Sequence, residues 1–160
     1  GRAQDIADTT HEIAVRYADD PLRYVDSSAA AAFETLHRLG PQDGVVQARR
    51  APVLLSVMVT SRLVELVVHG DDLLRSVRRV RGADAAPDPV DPEALRFVAE
   101  ALLDIIRARV GADLEVADAR TWVRLAAGRS PYDVDLLARG LRARSPSDAV
   151  PDLGRMLPVL

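Results

Sequence analysis

Apolar side chains recur three and four positions apart over most of the first 110 residues, which is the spacing of one face of an α-helix. Pro92 directly after Asp91 is a helix-start signal, and Gly40 and Gly111 suit helix ends. Four such stripes with no convincing strand between them predict a mainly α fold, an antiparallel four-helix bundle. The predicted helices cover residues 3–18, 22–39, 52–79 and 92–110, with an extended piece at 45–49.

The pattern changes from residue 111 onward and predicts a small α+β appendage. "GADLEVADA" alternates like a short strand, and "DARTWVRLAAGR" is typical of a helix capped by Asp118. "SPYDVDLLARG" predicts another helix, started by Ser130 and Pro131, and the tail predicts a short strand and a last helical turn. Residues 111–160 are too few to bury a core alone, so we expect them to pack on the bundle of residues 1–110.

Composition narrows the classes of function. Hydrophobic residues make up 48% of the 160 positions, enough for one core, and the absence of cysteine excludes disulfides and thiolate ligands. Net charge is −3, and the arginines are dispersed apart from Arg75, Arg78, Arg79 and Arg81, so no nucleic-acid partner is expected. With no apolar run near the ~20 residues of a membrane span and no signal peptide, the sequence predicts a soluble cytoplasmic protein.

The predicted helix over residues 52–79 is apolar over more than half of its circumference and carries one polar stripe. Glu65 and His69 lie four residues apart on that stripe, so their side chains are neighbours. Carboxylate and imidazole are good ligands for divalent metals, and helical bundles often hold such sites in their cores. An ordinary pair in which Glu65 accepts a hydrogen bond from the ring is the more common explanation of this spacing, because two ligands do not make a site. The stripe also contains Met58, Arg62, Asp72 and Ser76.

The segment "RLVELVVHGDDLL", residues 62–74, resembles the E-x-x-x-H-x-x-D-L segment of the mycothiol-dependent maleylpyruvate isomerase family, a DinB-like four-helix-bundle group. The resemblance implies that Glu65 and His69 are two of three protein ligands of a divalent ion, with zinc foremost. The third ligand in that family is a histidine on an earlier helix, in a Trp-containing stretch. No such stretch precedes residue 52, and neither His11 nor His37 has the family context, so we expect the chain to begin after the family's first helix.

The C-terminal segment carries a second resemblance. "DARTWVRLAAGR" and the later "LRARSPSDAVPDLGRMLPVL" are similar to the small sterol-carrier-like module that ends many of these proteins. The stretch before Thr121 is shorter than in longer members, so a strand pair and the lipid-facing wall it forms are expected to be absent. Trp122 is predicted to be a core anchor, and Arg129 at the helix end is expected to meet a carboxylate.

The first resemblance implies an enzyme that uses a divalent metal and mycothiol as cosubstrate, either an isomerase or an S-transferase acting on a small electrophile. Arg62 would then steady an anionic substrate or pair with Glu65. Asp72, which shares the stripe, would orient His69, although Asp71 and Asp72 also fit as solvent-facing acids. The alternative is a non-catalytic relative, a small-molecule or lipid-binding or interaction module whose metal site has decayed. Bundle faces left uncovered by a missing helix also predict a homodimer unless that helix belongs to the protein.

Overall fold

The computed structural model describes residues 2–48, 51–82, 84, 86–145 and 149–160, with the backbone alone for residues 2 and 3. The chain divides into two compact units, Gly1–Gly44 and Val45–Leu160. The described residues are mainly helical, with six helices and two small antiparallel sheets. The mainly α class is therefore confirmed, whereas the four-helix bundle and the boundary between residues 110 and 111 remain predictions.

Unit 1 contains two helices, α1 over Arg2–Arg16 and α2 over Pro21–Leu39. The Asp20 carboxylate caps α2 by accepting a hydrogen bond from the backbone N–H of Arg23 at 3.1 Å. Pro21 occupies the first turn, where its missing N–H costs nothing. Gly40 ends the helix with a φ of 72°, a conformation that favours glycine. These local signals explain why α2 forms within one residue of its predicted ends; α1 lies within two residues of its own.

Unit 2 begins with a short hairpin rather than with a helix. Strand β1, Val45–Gln47, pairs antiparallel with β2, Pro52–Leu54, and Val46 lies opposite Val53. Helix α3 then runs over Leu55–Arg81, so the predicted helix start at Pro52 is wrong. Proline is compatible with the first position of an edge strand as well as with the first turn of a helix, and pairing with β1 decides between them. Arg49, at the end of the predicted extended piece, lies outside the described residues.

Helix α4, Pro92–Val110, follows its predicted bounds. The Asp91 carboxylate accepts hydrogen bonds from the backbone N–H groups of Glu93 at 2.9 Å and Ala94 at 2.8 Å. Gly111 adopts the left-handed conformation at the other end, with a φ of 65°. The side chain of Asp91 thus determines where this helix begins, and the backbone freedom of Gly111 determines where it ends.

The C-terminal part contains β3, Leu114–Val116, α5, Ala119–Ala126, α6, Val134–Gly140, and β4, Leu141–Ala143. Asp118 caps α5 as predicted, accepting from the backbone N–H of Thr121 at 2.7 Å. The predicted start of α6 at Ser130 is wrong, because Asp133 is its cap and accepts from the backbone N–H of Leu136 at 2.9 Å. Strand β4 pairs antiparallel with β3.

One core joins α3 and α4 to the C-terminal elements of unit 2. Trp122 is fully buried, and its indole Nε1–H donates to the backbone carbonyl of Ala99 at 3.0 Å, which confirms the predicted core anchor. Gly140 packs closely against the backbone of Trp122. A Cβ at position 140 would lie 3.1 Å from the backbone nitrogen of Trp122. The fully buried set also includes Val98, Leu102, Leu103, Ile106, Leu114, Leu125, Leu141 and Leu153.

None of the helices among the described residues combines the length and the apolar character needed to cross a membrane.

Candidate functional site

His69 lies between two carboxylates on the polar face of α3. Its Nε2 atom is 3.2 Å from Oε2 of Glu65, and its Nδ1 atom is 3.4 Å from Oδ2 of Asp72. The side chains of His69 and Glu65 are more than half exposed, whereas that of Asp72 is about one-third exposed. The predicted adjacency of Glu65 and His69 therefore holds, and the two carboxylates face opposite nitrogens of one imidazole ring.

Arg129 fixes the position of Asp72. Its Nε–H group lies 2.9 Å from Oδ2 and 3.1 Å from Oδ1 of the carboxylate, and its Nη1 donates to the backbone carbonyl of Ala127 at 3.2 Å. Arg75, one turn after Asp72 on α3, donates from Nη1 to the backbone carbonyl of Arg129 at 3.2 Å. The expectation that Arg129 meets a carboxylate is thus confirmed, and the row Glu65, His69, Asp72, Arg129 connects α3 to the end of α5.

Gly128 gives the chain the turn that brings Arg129 to this row. Its φ is 66°, and a Cβ at this position would lie 3.2 Å from Cβ of Pro158. The two following backbone N–H groups, of Arg129 and Ser130, both donate to the carbonyl of Arg124, at 2.7 and 3.2 Å. Only a residue without a side chain satisfies both the left-handed φ and the close approach of Pro158.

We expect Gly128→Ala to lower the free energy of unfolding of unit 2 by about 2 kcal/mol, because the left-handed φ and the contact with Pro158 both oppose a Cβ. Gly111→Ala is the matched control, since Gly111 has a φ of 65° and open space around its Cβ position. This control should cost about 1 kcal/mol. Urea unfolding followed by Trp122 fluorescence measures both values, and equal losses would show that the Pro158 contact is unimportant.

An apolar groove between α3 and α4 adjoins the row. It has a volume of about 460 Å³, and the carboxylate-bearing residue Glu65 is part of its wall. A smaller polar pocket of about 160 Å³ continues from it, with Glu65, His69 and Arg129 on its wall. Val64, Glu65 and Leu160 belong to both, so the two spaces are contiguous. The groove is also lined by Ser56, Val57, Thr60, Ser61, Ala101, Leu102 and Ile105.

Arg62 directly follows Ser61, a residue of the groove wall. Its Nη2 donates to Oγ of Ser61 at 3.2 Å, and Ser61 lines the groove. The ion pairs of Glu65 among the described residues include His69 but not Arg62. The exposed guanidinium is therefore placed to meet a group that enters from solvent.

Asp71 holds a second charged cluster that the sequence reasoning missed. It is 5% exposed, and its carboxylate accepts from Nε and Nη2 of Arg124 at 2.7 and 2.8 Å. Arg120 adds a bond from Nη1 at 2.6 Å and uses Nη2 to reach Asp88 at 2.5 Å. A signal was present, because Asp71 shares the helix face of the buried residues Val67 and Leu74, and a carboxylate on a core face needs a cationic partner.

The protonation of Asp71 follows from this environment. Burial alone would raise the pKa of the carboxyl group, but the hydrogen bonds and positive charges of Arg124 and Arg120 outweigh burial and lower the pKa below its usual value. The same contact raises the pKa of Arg124. Asp71 is therefore ionised at neutral pH and links α3 to α5, so it is not one of the solvent-facing acids that the sequence left open.

The donors present fit part of a metal site. Glu65 and His69 offer one carboxylate oxygen and one imidazole nitrogen 3.2 Å apart, both accessible to solvent. Two ligands at ~2.1 Å from a tetrahedral zinc ion would be roughly 3.4 Å apart, so the separation suits a shared ion. Asp72 faces the opposite ring nitrogen, and among the described residues no cluster brings three His, Asp or Glu side chains together around one point. The pair could therefore supply two ligands, and the remaining positions would need other donors.

Comparisons of this chain with protein-family models, curated proteins and solved structures find no match. The resemblances to the maleylpyruvate isomerase family and to the sterol-carrier-like module consequently stay predictions, which rest on the motifs at residues 62–74 and 118–160. Part of the second motif, residues 146–148, lies outside the described residues.

Proposed function

We propose that this protein binds a divalent metal ion, zinc foremost, through Glu65 and His69, and acts as a thiol-dependent isomerase or S-transferase on a small electrophile. The observation that carries the proposal is the 3.2 Å separation of the Glu65 Oε2 and His69 Nε2 atoms at the junction of the polar pocket and the apolar groove. A solvent-accessible pair of donors beside a ligand-sized groove would bring a bound metal next to a substrate in that groove.

Asp72 and Arg129 support the metal role of His69. If the neutral ring carries its proton on Nδ1, that N–H faces the carboxylate of Asp72, 3.4 Å away. The lone pair of Nε2 is then left on the side of Glu65. Arg129 holds Asp72 in place through its Nε–H. The two residues would therefore select the tautomer that binds a metal and fix the orientation of the ring.

The groove would hold the body of the substrate. Its wall is mainly aliphatic, with Val57, Leu102 and Ile105 among the apolar residues and the hydroxyl of Thr60 among the few polar ones. Apolar walls bind a hydrocarbon body, while Glu65 places a carboxylate where the groove meets the polar pocket that His69 lines. A bound metal would supply Lewis acidity and lower the pKa of a thiol, with mycothiol as the expected cosubstrate. Arg62 would attract an anionic group of the substrate.

The second candidate is a small-molecule-binding module with a decayed metal site. The specific observation in its favour is that the described residues supply two donors rather than three. In that case the groove binds its ligand without a metal, and Glu65 and His69 form an ordinary helix-surface pair worth less than about 0.5 kcal/mol. Metal binding discriminates between the two functions.

We expect Glu65→Ala and His69→Ala each to weaken binding of cobalt(II), a spectroscopic substitute for zinc, by at least about tenfold, because each removes one of two protein donors. Binding is followed by the visible absorption of the ion, and circular dichroism checks the fold. His37→Ala is the matched control, since His37 is also an exposed histidine on a helix and forms no ion pair with the residues that the structure describes. Equal cobalt affinity in the wild type and both site variants would exclude the site.

A further inference from the structure

The last turns of α3 combine unpaired cations with exposed apolar side chains. Arg78, Arg79 and Arg81 are exposed, and their side chains make no hydrogen bond or ion pair with the part of the chain that the structure describes. Val80 stands between two of them and is 83% exposed. At about 100° per residue, Arg79 and Arg81 project to either side of Val80. We call these four residues the arginine end of α3.

An apolar row leads along α3 to this end. Leu66, Leu73 and Val80 are seven residues apart and therefore lie nearly in line, and they are 71%, 60% and 83% exposed. The row is roughly 20 Å long at ~1.5 Å per residue. The opposite face of α3 is committed to the core of unit 2 through Val64 and Val68. An exposed apolar row with arginines flanking its end has the charge and hydrophobic pattern of helices that lie in a membrane interface.

We propose that the arginine end and the apolar row of α3 form a docking surface for an anionic lipid membrane, on which α3 lies parallel to the bilayer plane. Lipid phosphates would pair with Arg79 and Arg81, whose aliphatic stems extend along the surface, while Leu73 and Val80 enter the headgroup region. Arg78 adds to the attraction. Asp84, three residues after Arg81, is one negative charge against the three arginines, so the end stays positively charged.

The charges favour a lipid surface over two other partners. A second copy paired through the same row in parallel would bring the two arginine ends together, and an antiparallel copy would place each end near the start of the other helix, where Arg62 adds like charge. A nucleic acid would neutralise the arginines but leave Leu66, Leu73 and Val80 in water. An anionic bilayer neutralises the arginines and also removes the apolar row from water.

Co-sedimentation of the whole chain with vesicles tests this proposal. One set of vesicles is phosphatidylcholine alone and the other is about one-third phosphatidylglycerol. We expect binding to the anionic vesicles that weakens as salt is added, and little binding to the neutral ones. Since each arginine near an anionic surface strengthens binding about fivefold, Arg79→Gln with Arg81→Gln should weaken it roughly 25-fold. Val80→Ser should weaken it several-fold without changing the charge.

The control removes two arginines elsewhere. Arg96→Gln with Arg109→Gln lies on the exposed surface of α4 and gives the same change in net charge. It should keep binding within about twofold, since both arginines belong to α4 and neither belongs to the arginine end of α3. Equal loss in both double variants, equal binding to neutral and anionic vesicles, or displacement from vesicles by a short DNA duplex would each overturn the proposal.

Discussion

Replacing Asp71 with alanine is expected to lower the free energy of unfolding of unit 2 by about 3 kcal/mol, because it leaves Arg120 and Arg124 without their shared carboxylate. The side chain of Asp71 is 8% exposed, whereas those of the two arginines are 25% and 32% exposed. Water can therefore reach the arginines in part, which keeps the expected loss at the lower end for a broken buried ion pair. Urea unfolding followed by the fluorescence of Trp122, the single tryptophan, measures it.

Asp72→Ala is the matched control for this experiment. Asp72 is the next residue on α3 and also pairs with an arginine, but both partners are about one-third exposed, so its loss should cost about 1 kcal/mol or less. Asp71→Asn keeps the shape of the side chain and removes its charge. Its loss in the free energy of unfolding should be close to that of Asp71→Ala. A loss for Asp71→Ala no greater than that for Asp72→Ala would mean that the Asp71 cluster does not join α3 to α5.

Trp122→Ala is expected to lower the free energy of unfolding of unit 2 by about 4 kcal/mol, because it opens a large cavity in a fully buried site. It also leaves the carbonyl of Ala99 without the indole N–H that it accepts from. Trp122→Phe should cost about 2 kcal/mol, since the ring is smaller and the hydrogen bond is lost. Far-UV circular dichroism in urea follows both variants, and a loss below about 1 kcal/mol for Trp122→Ala would contradict one shared core.

Local signals in the sequence were sufficient for most helix ends. Asp91 with Pro92, Asp118, Gly40 and Gly111 each act through their own side chain or backbone conformation, and the structure places them at helix ends as predicted. Trp122 was recognised as a core residue because a large aromatic residue on a capped amphipathic helix has few other places to go.

The errors occurred where two local signals competed. Pro52 suits both a strand edge and a helix start, and only its pairing with β1 places it in a strand. Ser130 and Asp133 both offer a capping oxygen, and the chain uses the aspartate. The partners of Asp71 lie on α5, about 50 residues away, so helix periodicity could indicate that the carboxylate needs a cation but not which one.

In the candidate site, too, contacts within one helix follow from the sequence, whereas contacts between elements depend on the fold. The contact between Glu65 and His69 follows from their spacing of four residues on one helix, and the approach of Asp72 to the same ring follows from a spacing of three. Arg129 reaches Asp72 only because the turn at Gly128 and the packing of α5 bring it there. The groove between α3 and α4 also depends on how two helices pack, which the pattern of either helix alone does not determine.

The measurement that tests the central claim most directly is the metal content of the purified whole chain by plasma mass spectrometry, without chelator or affinity metal, beside His69→Ala. The account predicts about one equivalent of zinc or a similar divalent ion in the wild type and its loss in the variant, because His69 supplies one of the two protein donors. Metal-free wild-type protein, or equal metal content in the two proteins, would contradict the account and leave the groove as the basis of a metal-independent binding module.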